Sequence, residues 1–205
     1  MYIIGMKSFL DTVSTPQNPI VLVKQWLEEA SMVPLSNAMA LATSSRTGVP
    51  SVRMVLLKHV DEKGFVFFTN YNSRKGKELS GNPHVSLLFW WGSLERQIRI
   101  EGSVEKISAE ESEEYFRTRP RESQISAVVS PQSETVASRE VLETMAADLS
   151  MRYADQPVPR PAHWGGYLVK PKAIEFWQGR EGRLHDRIQY LLQQNGEWKR
   201  SRLAP

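Results

Sequence analysis

Cysteine is absent from the 205-residue chain. Its absence removes disulfides, a thiolate nucleophile and any cysteine-ligated zinc or iron–sulfur site. Such a composition suits a reducing cytosol, and a cytoplasmic location is the expectation. Long apolar runs are also missing. Leu87-Leu88-Phe89-Trp90-Trp91 is among the longest, far short of the ~20 residues that span a bilayer. The Met1–Lys7 opening has no positive leader ahead of its apolar stretch, so no secretory signal peptide is expected. No Gly-x-Gly-x-x-Gly follows a strand-like run, which leaves a Rossmann dinucleotide site unsupported. Internal repeats and low-complexity tracts are lacking. Charge of one sign is not in large excess either: 26 Lys and Arg against 23 Asp and Glu leave +3. That balance suits a binder of small phosphorylated anions better than a nucleic-acid protein, which usually carries a denser basic patch.

What is present describes one domain. At this length a chain buries roughly 70% of the surface its unfolded form exposes. Residues 1–18 show no periodicity and read as a flexible arm, with a single domain over 19–205. Asn18-Pro19 reads as a cap and first helical residue, and Ile20, Val23, Trp26, Leu27 and Ala30 then recur at helical spacing. Strand-like runs follow at Ala38–Ser44, Ser51–His59, Gly64–Asn70 and Val85–Trp91, separated by Gly- and Pro-bearing turns. A short helix opens at Ser73 and closes near Gly81. Arg96–Ile107 alternates as a fifth strand. Ser108-Ala109-Glu110-Glu111 has capping-box spacing and starts a helix that Pro120 stops. Ser138 to about Tyr153 is another helix, with Val141, Leu142, Met145 and Leu149 on one side. The tail reads as strands at Gly166–Val169, Ala173–Gln178, Asp186–Leu192 and Trp198–Leu203, with Asn195-Gly196 as a hairpin turn. Many strands with interspersed helices predict an antiparallel barrel decorated by helices, an α+β arrangement.

Several segments carry side chains suited to anion chemistry. In Arg183-Leu184-His185-Asp186-Arg187, an extended backbone would set Arg183, His185 and Arg187 on one face, a self-repelling row that an anionic or aromatic guest would relieve. In Arg53-Met54-Val55-Leu56-Leu57-Lys58, the end charges could simply snorkel at a barrel rim. In Phe68-Thr69-Asn70-Tyr71-Asn72-Ser73-Arg74-Lys75, free backbone N–H groups at a helix start meet two cations, a ready phosphate site. Tyr115 and Arg119 are four apart on a helix and share a face. Pro120 then turns the chain so that Ser123 can approach. A guanidinium with two hydroxyls suits a phosphate dianion, although a Tyr–Arg pair is more often a surface stacking contact. Gln97, and Gln132-Ser133, could bond to neighbouring strands or to a ring edge. Trp177 could be ordinary core. His59, His84 and His163 lack ligand-like spacing, and glutamates 110, 111, 113 and 114 read as a solvated helix face.

In this order, these segments resemble the pyridoxine/pyridoxamine 5′-phosphate oxidases, FMN enzymes that make pyridoxal 5′-phosphate. The resemblance runs from about residue 19 to the closing Arg202-Leu203-Ala204-Pro205. It implies the FMN-binding split β-barrel, as a homodimer with flavin at the subunit interface. It implies that the run Arg53, Met54, Val55, Leu56, Leu57 and Lys58 lines the flavin, with Arg53 on the FMN phosphate. Phe68, Thr69, Gln97, Gln132, Ser133, Trp177 and Arg187 become further FMN contacts, and Arg74 and Lys75 ligands of its phosphate. Lys58, Tyr115, Arg119 and Ser123 would grip the substrate phosphate. Arg183 and His185 would hold the substrate ring and are the catalytic candidates. The implied activity is oxidation of pyridoxamine or pyridoxine 5′-phosphate, with O2 as acceptor and H2O2 as product. One departure is that the family's N-terminal Arg- and Tyr-bearing stretch is not evident in residues 1–18. Two other readings stay open at this level. One is another split-barrel flavin oxidoreductase; the other is a β-barrel module binding single-stranded nucleic acid through its six tryptophans.

Overall fold

The computed structural model describes residues 10–205. Its first helix, α1 (Pro19–Glu29), starts where Asn18 accepts a hydrogen bond from the Ile20 amide and Pro19 occupies the first turn. Ile20, Val23 and Trp26 are buried along its inner face. The strands β1 (Ala38–Ser44), β2 (Pro50–Leu56), β3 (His59–Asp61) and β4 (Gly64–Asn70) come next, followed by α2 (Arg74–Gly81). Then come β5 (His84–Trp91), β6 (Arg96–Lys106), α3 (Ala109–Thr118), α4 (Arg121–Val129) and α5 (Arg139–Arg152). The chain finishes with β7 (Trp164–Gln178), β8 (Asp186–Leu192) and β9 (Trp198–Arg202).

The nine strands form one antiparallel sheet in the order β2-β1-β5-β6-β7-β4-β3, with β8 added to β7 and β9 to β8. This curled sheet with helices around it is the split-barrel arrangement. Alternation along β1 and β5 turns Met39, Leu41, Leu87, Phe89 and Trp91 inward. There they meet Trp26, Phe65, Phe67, Phe176 and Tyr190 in a continuous core. A smaller cluster of Phe116, Ile125, Val158 and Trp164 lies under α3, α4 and α5.

β7 organises everything else. β6 follows it along almost its whole length, while its other edge pairs with β4 over residues 164–169 and with β8 over 173–178. The sequence reading divides this strand at Lys170-Pro171-Lys172. In the structure it is continuous, because Pro171 lies beside a bulge at Glu101/Gly102, where proline is tolerated. Gly102 is required at that bulge, since a Cβ there would lie 2.1 Å from the Lys170 carbonyl.

Three other expectations shift. Ser51–His59 is two strands, with Leu57 and Lys58 in the link between them. Pro120 ends α3 as expected, yet it also opens α4, which the sequence reading treats as a turn. The apolar stripe of α5 is only partly covered: Leu149 packs against the smaller cluster, but Val141 and Met145 remain exposed. Residues 10–17 form no helix or strand, yet they are tethered. Leu10 is buried, its carbonyl accepts from Arg202, and that of Pro16 accepts from Tyr190. The rest of the expected arm, residues 1–9, lies outside the described residues. Among the described residues no helix is long and apolar enough to cross a membrane.

Candidate functional site

Ser73 is the cap of α2, its hydroxyl accepting from the Gly76 amide, and this turn delivers Arg74 and Lys75 to the end of β4. Arg53 arrives from β2. Both arginines meet on Glu78, a carboxylate with a side chain only 9% exposed: Arg53 Nη2 lies 3.2 Å from Oε2 and Arg74 Nε 2.9 Å from Oε1. Thr43 and Ser51 add hydroxyl donors to Oε2 at 2.5 and 2.6 Å. Burial alone would raise the Glu78 pKa, but the two hydroxyls and two guanidiniums overcome it and hold the group down at about 2. Lys75 is different. Its ammonium, in a residue only 8% exposed, donates to neutral oxygens, Gln132 Oε1 at 2.8 Å and Thr69 Oγ1 at 3.2 Å. Burial, then the proximity of Arg53, pulls its pKa below the usual lysine value. Arg53 and Arg74 thus converge on Glu78 with Lys75 close to Arg53, but of the three only Lys75 lines the neighbouring cavity.

Lys75, Thr69 and Gln132 line a cavity of about 550 Å³. Lys58, Tyr115, Arg119 and Ser123 line the same cavity, as do Met54, Val55, Leu56 and Phe68. The four residues expected around a second phosphate are thus brought together, Ser123 by the unexpected helix α4. Tyr115 stacks on Phe68, ring centres 3.9 Å apart. Arg119, one residue beyond α3, lies 4.5 Å over the face of Trp164. Its Nη1 is buried without a hydrogen-bond partner, and burial lowers its pKa. An orphaned guanidinium nitrogen beside a cavity is the mark of a missing acceptor.

The remaining expected residues lie elsewhere. Gln97 and Trp177 are register partners on β6 and β7, and Trp177 also pairs with Arg187. The His185 ring sits 4.7 Å from that of Trp177, and its Nδ1 accepts from the Arg180 amide at 3.1 Å. This group occupies the far end of β7 from Phe68, whose partner is Gly166. At ~3.3 Å per residue, the two ends are on the order of 30 Å apart in one chain.

Three expectations about these side chains are corrected. Arg183, His185 and Arg187 do not share an extended face, because Arg183 ends a 3₁₀ turn with φ +62° and β8 begins only at Asp186. Arg187 is not an open cation: it pairs with buried Glu175 at 2.8 Å, and that carboxylate raises its pKa. Leu57 points into the core and does not line the cavity. Ser133 sits just outside the cavity at φ +74°. Arg183 and Ser133 are two of the four non-glycine residues with positive φ among the described residues, and both fall in segments singled out from the sequence. Strain of this kind concentrates at functional sites.

Two residues were not anticipated. Glu78 had a local signal, its i,i+4 spacing from Arg74. Trp164 had none, because its place under Arg119 depends on β7 pairing with β4. Among the described residues no cluster of His, Cys, Asp or Glu could hold a metal ion.

Known proteins match this architecture along nearly its full length. The family described as Pyridoxamine 5′-phosphate oxidase matches residues 27–153, and the Pyridoxine 5′-phosphate oxidase C-terminal dimerisation region matches 164–205. The pyridoxine/pyridoxamine 5′-phosphate oxidase of Nostoc sp. (strain PCC 7120) is 54% identical over 96% of this chain and 92% of its own length. That of Herminiimonas arsenicoxydans is 50% identical over 96% and 93%. Among solved structures, PhzG from Burkholderia lata 383, in complex with tetrahydrophenazine-1-carboxylic acid, superposes with a TM-score of 0.91 at 32% identity, covering 98% of this chain and 100% of that one. A pyridoxamine 5′-phosphate oxidase-related, FMN-binding protein from Nostoc punctiforme PCC 73102 shares the fold at a TM-score of 0.73 and 15% identity, over 93% and 98% of the two chains. With these matches over both halves of its sheet, the chain belongs to the pyridoxine/pyridoxamine 5′-phosphate oxidase family.

Proposed function

We propose that this chain is a cytoplasmic, FMN-dependent oxidase that converts pyridoxamine 5′-phosphate and pyridoxine 5′-phosphate to pyridoxal 5′-phosphate, with dioxygen as electron acceptor and hydrogen peroxide as the second product. The observation that carries this reading is a pair of cations in one cavity, Lys75 bonded to neutral oxygens and Arg119 with an unpartnered Nη1. Buried positive charge without an acceptor is costly, and an anion relieves it. Two such positions suit two phosphates.

The donor set fits FMN, which when bound supplies the two-electron chemistry of the reaction. Lys75, Arg53 and Arg74 hold its phosphate, and Met54, Val55, Leu56, Phe68, Thr69 and Gln132 form its seat. Lys58, Tyr115, Arg119 and Ser123 hold the phosphate of the substrate. Arg183 and His185 orient the substrate ring, a placement that shortens the path to reaction.

Gln97, Trp177, Arg183, His185 and Arg187 reach that cavity only from a second copy, because one chain keeps them at the other end of β7. A homodimer is supported by the match to a dimerisation region. It is also supported by the apolar strip Val52, Met54 and Leu56, exposed on the edge strand β2. The test is a visible absorption spectrum of the purified protein under anaerobic conditions. Adding pyridoxamine 5′-phosphate should bleach the flavin band, and admitting air should restore it. A yellow protein bleached by a reduced phenazine carboxylate and not by the B6 phosphates would overturn the substrate assignment.

A further inference from the structure

Trp164 stands out as a buried aromatic residue whose face, and not only its bulk, is in use. It is 6% exposed, and Phe68 and Tyr115 stack parallel to it, with ring centres 5.3 and 6.3 Å away. The Arg119 guanidinium lies over it at 4.5 Å. Its backbone is braced as well: Arg160 Nη1 donates to the Trp164 carbonyl at 2.6 Å, while Arg160 Nε lies 3.4 Å from Glu113 of α3.

A buried arginine is most often held by a carboxylate, as Arg187 is held by Glu175. Such a partner consumes N–H donors and cancels charge. An aromatic face attracts the guanidinium without doing either. Arg119 accordingly keeps its charge and retains a buried Nη1 with no acceptor at the edge of the cavity.

We infer that Trp164 is a positioning residue for phosphate selectivity: its indole face holds the Arg119 guanidinium in place without a carboxylate partner, so that its N–H groups are reserved for a phosphate dianion. This inference rests on the substrate-phosphate role proposed above for Arg119. It assigns to Trp164 no contact with the reacting atoms.

The experiment compares two ligands on the FMN-loaded enzyme, pyridoxal 5′-phosphate and pyridoxal, with dissociation constants read from perturbation of the flavin spectrum. Trp164→Leu should weaken pyridoxal 5′-phosphate about tenfold, the span of a desolvated cation–aromatic contact, and leave pyridoxal unchanged. Trp164→Phe and Trp164→Tyr, which keep a ring and preserve the packing, should fall between wild type and leucine. They carry the test if the leucine variant does not fold. In an Arg119→Met background, Trp164→Phe should produce no further change, because the two residues act as one unit. An equal loss for both ligands would show that Trp164 only supports the fold, and an unchanged ratio between them would equally overturn the inference. A wild-type enzyme with no preference for the phosphate ester would instead sink the proposed role of Arg119 itself, a separate failure.

Discussion

Arg53 and Glu78 form an ion pair, Nη2 to Oε2 3.2 Å, that ties the edge strand β2 to the helix α2. Through Glu78 the same contact reaches Arg74, so two cations from distant parts of the chain are held by one carboxylate. Lys75, next along α2, is left with neutral acceptors. An anion arriving here meets arginines already in place and a lysine whose hydrogen bonds reach no carboxylate.

Replacing Glu78 with glutamine should therefore destabilise the protein in a pH-dependent way. The carboxyl is depressed from 4.5 to about 2. Its contribution is complete above pH 4.5 and is lost as the pH falls from there towards 2. Denaturant unfolding of flavin-free wild type and variant should show a constant gap, on the order of 3 kcal/mol, from pH 7 to 5. The gap should narrow below 4.5. A gap that stays constant down to pH 3 would remove Glu78 as the source.

Lys75→Met should act in opposite senses on stability and on binding. A buried ammonium hydrogen-bonded to neutral oxygens, its burial offset only in part by nearby Glu78, costs folding energy, so the flavin-free variant should melt a few degrees higher, roughly 1 kcal/mol in a chain of this size. Its affinity for FMN should fall by more than tenfold while its affinity for riboflavin is unchanged. Calorimetry and fluorescence titration measure the two. A parallel loss for FMN and riboflavin would place Lys75 away from the phosphate.

Arg74→Ala combined with Lys75→Ala should give colourless protein. Retention of one FMN per chain after purification would rule out this phosphate site.

Arg183→Ala should keep its flavin and lose turnover, by roughly a hundredfold if the side chain orients the substrate. Flavin content from the visible spectrum and steady-state kinetics separate the two effects. Loss of flavin would contradict the assignment.

Val52→Glu places a charge in the exposed apolar strip of β2. If that strip packs against a second copy, sedimentation should show a monomer, and FMN affinity should fall with it because the site loses the half carrying Trp177 and Arg187. A variant that remains dimeric would locate the subunit contact elsewhere.

The alternation of β1, the Asn18-Pro19 start of α1, the Ser73 cap of α2 and the capping box at Ser108–Glu111 were all legible in the chain. Each depends on residues within a turn or two of one another, where steric preference and hydrogen-bond partners are local. The placement of Arg74 and Lys75 at a helix start was legible for a related reason, since a cap followed by two cations is itself a local device. α4 was not, because a proline that stops one helix can open the next, and only the packing of Ile125 beneath it decides.

Residue order alone determined most of the strands and helices, α4 and the unbroken course of β7 excepted, and which cations were available to an anion. Tertiary structure alone decided that Arg53 and Arg74 share Glu78, that Arg119 rests on Trp164, and that Phe68 and Trp177 lie at opposite ends of β7. Those outcomes follow from sheet order. Antiparallel pairing sets side by side residues far apart in sequence, and it separates others by the full length of a strand, a distance no local pattern encodes.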